Sequence, residues 1–498
     1  MLQLIYALIL PWLILTLPAS AASDDRAEQT GNRIALGFST GQDFTATQQQ
    51  LDFAASMGID LIAFSDPAQM QNLSIAPFFI LLKSDIRFPV INQLRTKREL
   101  FAELRLDNYR EINETWPGQI AAVEVLSYPH EKDNRFLPLA SGLANSLSAQ
   151  IDSPLYFTSG HPEPLALPGG FSFNAARVTP TTVPGRPAAA FTEFSPNESD
   201  RESLIALNHL FNSKAELESS VVLLPAEWFF NLLDKQPELH VVFEGHLNGE
   251  QIAFPIPSEP SRLPGLNWSV LFLLLLWISF ILHYKFQPVY NQSLGRYYFN
   301  HTFFVIDVME HRIRNTLPGI IVMIQHAFIT GLFFYVSAEI MVTALGLQAL
   351  AHHFPVLFLP GNPLISLFLV GLVLSLILQF LLVGWIYMLN KKLTHFSQAL
   401  HLYTLPLHVN LILVTLLVVL NQTGTGEFLV ITLSILFGLV WFSSFNLAAI
   451  DSAGFLNEYK IMNILLTTGI FTLLVVLVIW MFLYNPILAD PIRLAISF

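Results

Sequence analysis

Leu266 to Lys285 reads LNWSVLFLLLLWISFILHYK, with no Asp, Glu, Lys or Arg before its last position. About 20 apolar residues are what a helix needs to cross the roughly 30 Å hydrocarbon core of a bilayer. The chain divides around this stretch. Between Ser23 and Gly265 there are 17 Lys+Arg against 30 Asp+Glu, a balance of −13, and from Leu266 to Phe498 there are 8 against 7, or +1. The 12% charged fraction of the whole chain, about half the globular norm, therefore averages an acidic soluble part and a part that is nearly all membrane.

The acidic part is unsuited to nucleic acid, whose phosphates demand basic surfaces. No cysteine is present, which excludes thiolate catalysis, Cys-ligated zinc and disulfides. Leu2–Leu17 is an apolar run followed by Ala19-Ser20-Ala21, a pattern that predicts a signal peptide over 1–22, with an uncleaved anchor as the alternative. Either one exports the acidic domain. An exported domain without disulfides suggests a bacterial envelope protein.

From 31 to 258, strand-like apolar runs alternate with helical patterns. The runs are Arg33–Ser39, Leu61–Ser65, Pro77–Leu82, Ile120–Leu126, Leu155–Thr158, Ala188–Phe194, Ser220–Leu224 and His240–Glu244. Helical patterns fall at 46–57, Lys97–Glu114 (with Leu100, Leu104 and Tyr109 on its apolar side), Pro138–Gln150, 200–213 and 226–234. This alternation predicts a parallel α/β domain, a (β/α)8-like barrel or an open doubly wound sheet. No Gly-x-Gly-x-x-Gly follows the first strand, so a dinucleotide fold has no support.

Barrel active sites lie at the C-terminal strand ends. The acidic candidates there are Asp66, Asp85, Glu124, Glu193, Glu227 and Glu244. Strand alternation puts Glu124 inside the barrel with Ala122, Leu126 and Tyr128, and a charge there needs a partner. Lys83, near the end of the neighbouring strand, supplies one. Glu124 is then either a functional carboxylate or half of an internal ion pair, and Glu124 and Glu193 are the candidate catalytic carboxylates of a hydrolase. Asp66, Lys83, Tyr128 and Glu244 are candidates for ligand binding. The histidines show no metal spacing, and neither metal nor cofactor is expected. The Pro-rich stretch Val178–Pro187 reads as a loop over one barrel end.

Ala122–Pro129, AVEVLSYP, resembles the fourth-strand segment of the (β/α)8 glycoside hydrolases. In that family the strand tip carries Asn-Glu-Pro, and its Glu is the general acid/base. At the matching positions this chain has Ser127, Tyr128 and Pro129. The family often places its nucleophile on the seventh strand, but Val221–Pro225 holds no Glu at its tip, and Glu227 comes two residues later. The resemblance implies a barrel that has lost this chemistry.

After a Pro-rich linker (259–265) and the first span (266–285), a segment at 286–316 precedes a membrane domain over 317–485 and a tail at 486–498. Further spans are predicted near 317–345, 363–389, 405–421, 428–449 and 461–484, giving an all-α polytopic domain. Lys and Arg gather in alternate loops (Lys285, Arg296, Arg312, Arg314; Lys391, Lys392; Lys460), whereas 346–362 and 422–427 hold none. The positive-inside rule puts the basic loops in the cytoplasm, and the barrel and C-terminus outside. Intramembrane polar residues are functional candidates by default, here His326, Gln379, His408 and Asn446; His326, His408 and Asn446 fall in the cytoplasmic half, where interhelical hydrogen bonds or interfacial positions are the main reading and a shared polar pocket the alternative.

Asn300–Thr316 followed by five close spans is similar in layout to Yip1-type membrane domains, and Phe396–Pro406, FSQALHLYTLP, resembles a segment preceding one of their helices. That resemblance implies membrane organisation or partner binding and no reaction. The expected protein is a bacterial inner-membrane protein with a periplasmic barrel that binds an envelope glycan, lipid or protein partner. A carbohydrate hydrolase and a transporter are the alternatives.

Overall fold

A computed structural model describes residues 32–38, 47–70, 73–161, 167–182, 191–197, 199–214, 220–257, 267–423, 427–456 and 459–498. The expected signal peptide and linker lie outside these residues. The chain divides into two compact units near residue 262.

The first unit is a closed barrel of eight parallel strands: β1 (Asn32–Gly37), β2 (Leu61–Phe64), β3 (Phe79–Leu82), β4 (Ile120–Ser127), β5 (Leu155–Ser159), β6 (Phe173–Val178), β7 (Phe191–Phe194) and β8 (Ser220–Pro225). Each pairs with the next, and β8 closes onto β1, with Ala35 opposite Leu223. Helices α1 (Gln48–Ser56), α2 (Ile91–Thr96), α3 (Arg98–Thr115), α4 (Phe136–Ser148), α5 (Asp200–Lys214), α6 (Ala226–Lys235) and α7 (Leu239–Leu247) connect or follow the strands. The strand period of two sorts the side chains. Ile34, Leu36, Ile62, Phe64, Ile80, Leu82, Val123 and Phe157 join the outer core with the helices. Ala35, Ala63, Leu81, Ala122, Tyr156, Ala175, Phe191 and Leu223 fill the lumen.

Two strand assignments change. Phe173–Val178 forms β6, which carried no strand expectation, and His240–Glu244 lies within α7. The run LHVVFEGHL is apolar enough for either structure, and periodicity alone cannot separate a short buried helix from a strand. FNAARV lacks aliphatic β-branched residues before Val178 and so carries little strand signal. The strand expected at 188–194 is therefore β7, and that at 220–224 is β8. On α3 the buried side is Arg105, Leu106 and Ile112, while Leu100 and Leu104 are exposed. Only Tyr109 of the expected apolar side packs against the core.

In the second unit, six helices among the described residues are long and apolar enough to cross a membrane: Trp268–Phe286, Leu317–Met341, Pro363–Leu389, Phe396–Thr423, Phe428–Ala453 and Lys460–Tyr484. The first of these is α8. Two short helices, α9 (Pro288–Phe299) and α10 (His301–Met309), link it to α11 (Leu317–Met341). Next come α12 (Ala344–His353) and α13 (Pro363–Leu389). The fourth span is jointed: α14 (Phe396–Thr404) passes through a 3-10 turn at Leu405–His408, which holds Pro406, into α15 (Val409–Thr423). The segment 396–406, expected to precede a span, is thus the first half of one, and Ser397–Thr404 is buried throughout. The chain ends in α16 (Glu427–Ala453), α17 (Lys460–Ile464), a π-helical turn, α18 (Ile470–Tyr484) and α19 (Pro486–Ser497). The tail is thus a helix, capped by Asn485, which accepts from the Ile487 N–H at 2.9 Å.

Candidate functional site: a charged layer at the C-terminal end of the barrel

One inward step beyond the apolar lumen layer, the strands present Lys83, Glu124, Thr158, Arg177 and Glu193. Lys83 follows β3, and its ammonium donates to Glu124 Oε1 at 3.2 Å and to Glu193 Oε2 at 2.7 Å. Glu124 is 0% exposed. Its Oε1 also accepts from the Thr158 hydroxyl, and its Oε2 from the Ser84 N–H at 2.9 Å. Glu193 Oε1 accepts from the Tyr128 hydroxyl at 2.5 Å. Each oxygen of both carboxylates therefore has at least one protein donor.

Charge follows this geometry. Burial opposes the Lys83 charge, but Glu124 and Glu193 outweigh it and raise its pKa well above the usual ammonium value. Burial opposes ionisation of Glu193 too, yet Lys83 and the Tyr128 hydroxyl bring its pKa down to about 2. The Tyr128 phenol is raised, chiefly by burial and then by Glu193. An ionised carboxylate locked to an ammonium is a poor proton donor; general acids are held with raised pKa values.

Arg177 on β6 is the register partner of Glu193 on β7. Its guanidinium lies over the Tyr128 ring at 5.4 Å and donates to Ser195 Oγ at 2.9 Å. Arg105 of α3, also buried, donates to the carbonyls of Lys83 (3.0 Å) and Leu82 (3.4 Å), tying down the strand end that carries the ammonium.

The β4 alternation breaks after Glu124, against expectation. The pairing with β5 shifts between Glu124 and Leu126, so Val125 and Leu126 both face the outer core. Leu126 is not beside Glu124. Tyr128 returns to the site because its backbone turns into the left-handed region at φ 54°. It packs against Phe88, also left-handed at φ 53°, with ring centres 5.5 Å apart.

Sequence reasoning places Lys83, Glu124, Glu193 and Tyr128 among the candidates, and the fold brings these together. Asp66 stands apart: exposed, it caps a 3-10 turn by accepting from the Ala68 N–H at 2.8 Å. Glu244 is exposed on α7 rather than at a strand tip. Arg105, Thr158 and Arg177 were missed. Strand parity would have found Arg177 once β6 was recognised; nothing local marks Arg105 as buried.

A second buried group was also missed. Ser159 Oγ lies 2.6 Å from Glu131 Oε1 and 3.0 Å from the His161 carbonyl, and it accepts from the His161 N–H at 3.0 Å. A hydroxyl has one proton, and the carbonyl can only accept. The Ser159 proton is therefore shared between Glu131 Oε1 and the His161 carbonyl. Burial raises the Glu131 pKa to about 8 against the opposing Ser159 bond.

In the membrane unit, His326 Nε2 meets the Asn410 amide nitrogen at 3.0 Å, and Gln379 donates to Ser375 Oγ at 2.8 Å and to the Met323 carbonyl at 3.3 Å. His408 Nδ1 donates to the Leu405 carbonyl at 2.8 Å, so its Nε2 accepts from the Tyr290 hydroxyl. Asn446 donates to its own helix at the Phe442 carbonyl, 3.0 Å away. His326, His408 and Gln325 line a cavity of about 10 Å³, room for roughly one water. Of the three residues placed in the cytoplasmic half, His326 and His408 line this cavity and bond to other helices, while Asn446 bonds within α16.

The fold and site together define a membrane-span-bearing protein with a (β/α)8 barrel domain. The chain matches no known protein family, no curated protein and no solved structure.

Proposed function

We propose that this chain is a bacterial inner-membrane protein whose periplasmic barrel binds an envelope glycan, lipid or protein partner without turning it over, the helical bundle anchoring or coupling that event. The observation that carries the reading is Lys83. It bonds both candidate carboxylates, and every carboxylate oxygen in the layer is already bonded by the protein. The Lys83 ammonium between the two argues against either serving as the proton donor of a hydrolase.

One observation favours the second reading, a glycoside hydrolase. With β6 recognised, Glu193 falls on the seventh strand and Glu124 on the fourth, the strands on which the resembled family carries its two carboxylates. Displacement of Lys83 by substrate would be required to release them.

The test uses the full chain in detergent, with Glu124→Gln and Glu193→Gln variants, against envelope glycan fragments. Binding and release of reducing sugar are read in parallel. Binding without sugar release supports the proposal. Turnover abolished by either substitution overturns it in favour of hydrolysis.

A further inference from the structure

The link between the first and second spans has two faces. Tyr290 and Tyr297 of α9, with Phe304, Val305 and Val308 of α10, face inward and join one buried cluster with Val322 and Met323 of α11 and Val383 and Ile386 of α13. Phe286 at the end of α8, Val289 and Phe299 of α9 and Phe303 of α10 stay outside that cluster and are exposed; Phe299 is 93% and Phe303 61% exposed. Single exposed apolar residues are ordinary, whereas a row of them marks an interaction surface.

Two further observations say what covers this row. The pair α9–α10 joins the end of one span to the start of the next, with Gln287 between α8 and α9, so it lies at one surface of the membrane. The segment 285–316 also carries Lys285, Arg296, Arg312 and Arg314 against Asp307 and Glu310, a balance of +2. Asp307 is buried and holds Arg296 and, at 3.2 Å, Arg312, so the basic side chains are braced against the same helix pair that presents the aromatics. Apolar rings beside cations are the composition of helices that lie in the interface of a bilayer bearing anionic headgroups.

We infer that α9–α10 is an interfacial helix pair: Val289, Phe299 and Phe303 insert among the lipids, while the neighbouring cations meet anionic headgroups of the same leaflet. The inference rests on the membrane reading of the six helices. It goes beyond that reading by naming a lipid-binding surface outside the spans. Positive charge on this loop, by the orientation proposed above, makes the leaflet cytoplasmic.

The absence of cysteine allows single labels. Phe299→Cys and Phe303→Cys are made in the full chain, spin-labelled and placed in nanodiscs of phosphatidylcholine alone or with equimolar phosphatidylglycerol. Collision with oxygen, which favours lipid, is compared with collision with a water-soluble nickel chelate. Leu473→Cys, exposed in the sixth span, is the lipid reference. Lys391→Cys, exposed in the loop before α14, is the water reference.

The expected result is chelate collision at 299 and 303 several-fold below that at 391, with oxygen collision close to that at 473. Phosphatidylglycerol should deepen both labels, and Lys285→Gln with Arg314→Gln should cancel the deepening. Chelate access equal to that at 391 overturns the proposal. Shielding from both reagents also overturns it, because a protein surface then covers the row. Equal depth in both lipids overturns the anionic part. A water-exposed label at 473 identifies failure of the membrane reading instead.

Discussion

At the scale of the residue, the barrel separates its buried carboxyls by their partners. The bond to Lys83 helps hold the Glu193 pKa down, whereas burial raises that of Glu131 against its bond from Ser159. Removing one member of a buried pair leaves an uncompensated charge, which is why Lys83 constrains the layer more than either acid alone. Glu131 has the opposite effect on pH dependence. Its folded pKa of about 8 lies above its ordinary value of 4.5, so between these pH values the unfolded chain has shed a proton that the fold retains. The stability it contributes is fully present below about pH 4.5 and is lost as pH rises through 8, at up to about 1.4 kcal/mol per pH unit. Glu131→Gln, which keeps a neutral donor beside Ser159, should flatten this slope. Amide exchange of β4 and β5, followed from pH 5 to 8.5 in wild type and variant, tests it; parallel profiles would sink the idea. The sequence contained Glu131 and Ser159 in plain view, but nothing in their spacing shows that β4 and β5 end side by side.

At the scale of the element, the second and third spans approach through small residues. A Cβ on Gly331 of α11 would meet the Phe368 carbonyl at 2.8 Å, and one on Gly371 of α13 would meet the Thr330 carbonyl at 3.0 Å. Thr330 and Ser375 complete the contact through their hydroxyls at 3.2 Å. Without a hydrophobic driving force between helices in lipid, close packing and interhelical hydrogen bonds supply the association. Gly331→Leu should therefore destabilise the unit by about 1–3 kcal/mol or more, read as a lower melting temperature of the full chain in detergent. Leu at Gly384, where an added Cβ meets nothing within 4 Å, should have little effect. Equal losses at both positions would show that the close helix contact at Gly331 does not control the result. Each span was legible from its length and apolarity, but the glycine contact was not, since it depends on which helices become neighbours.

At the scale of the whole molecule, the basic loops give an orientation that can be measured. Glu238 in the barrel unit and Lys391 between the third and fourth spans are both exposed. Glu238→Cys should react with a membrane-impermeant maleimide in intact cells stripped of the outer membrane, whereas Lys391→Cys should react only after the inner membrane is opened. Reaction of Lys391→Cys in intact cells, with Glu238→Cys protected, would invert the topology. Reaction of both would show that the two positions lie on one side.

Length, apolarity and strand-helix alternation were enough, read along the chain, for an α/β barrel ahead of six spans, because each is a local or periodic property with a fixed physical threshold. Inward charge at Glu124 also demanded a partner and so singled out Lys83, while strand-end position and strand parity singled out Glu193 and Tyr128. Closure of the barrel decided the rest. It made Phe173–Val178 the sixth strand and moved Glu193 to the seventh. It let the register shift in β4 turn Leu126 away, and it brought one ammonium within bonding distance of carboxylates 41 and 110 residues further along. Contacts between residues so far apart in sequence depend on strand register and sheet closure, and neither leaves a signal in the local pattern of either partner.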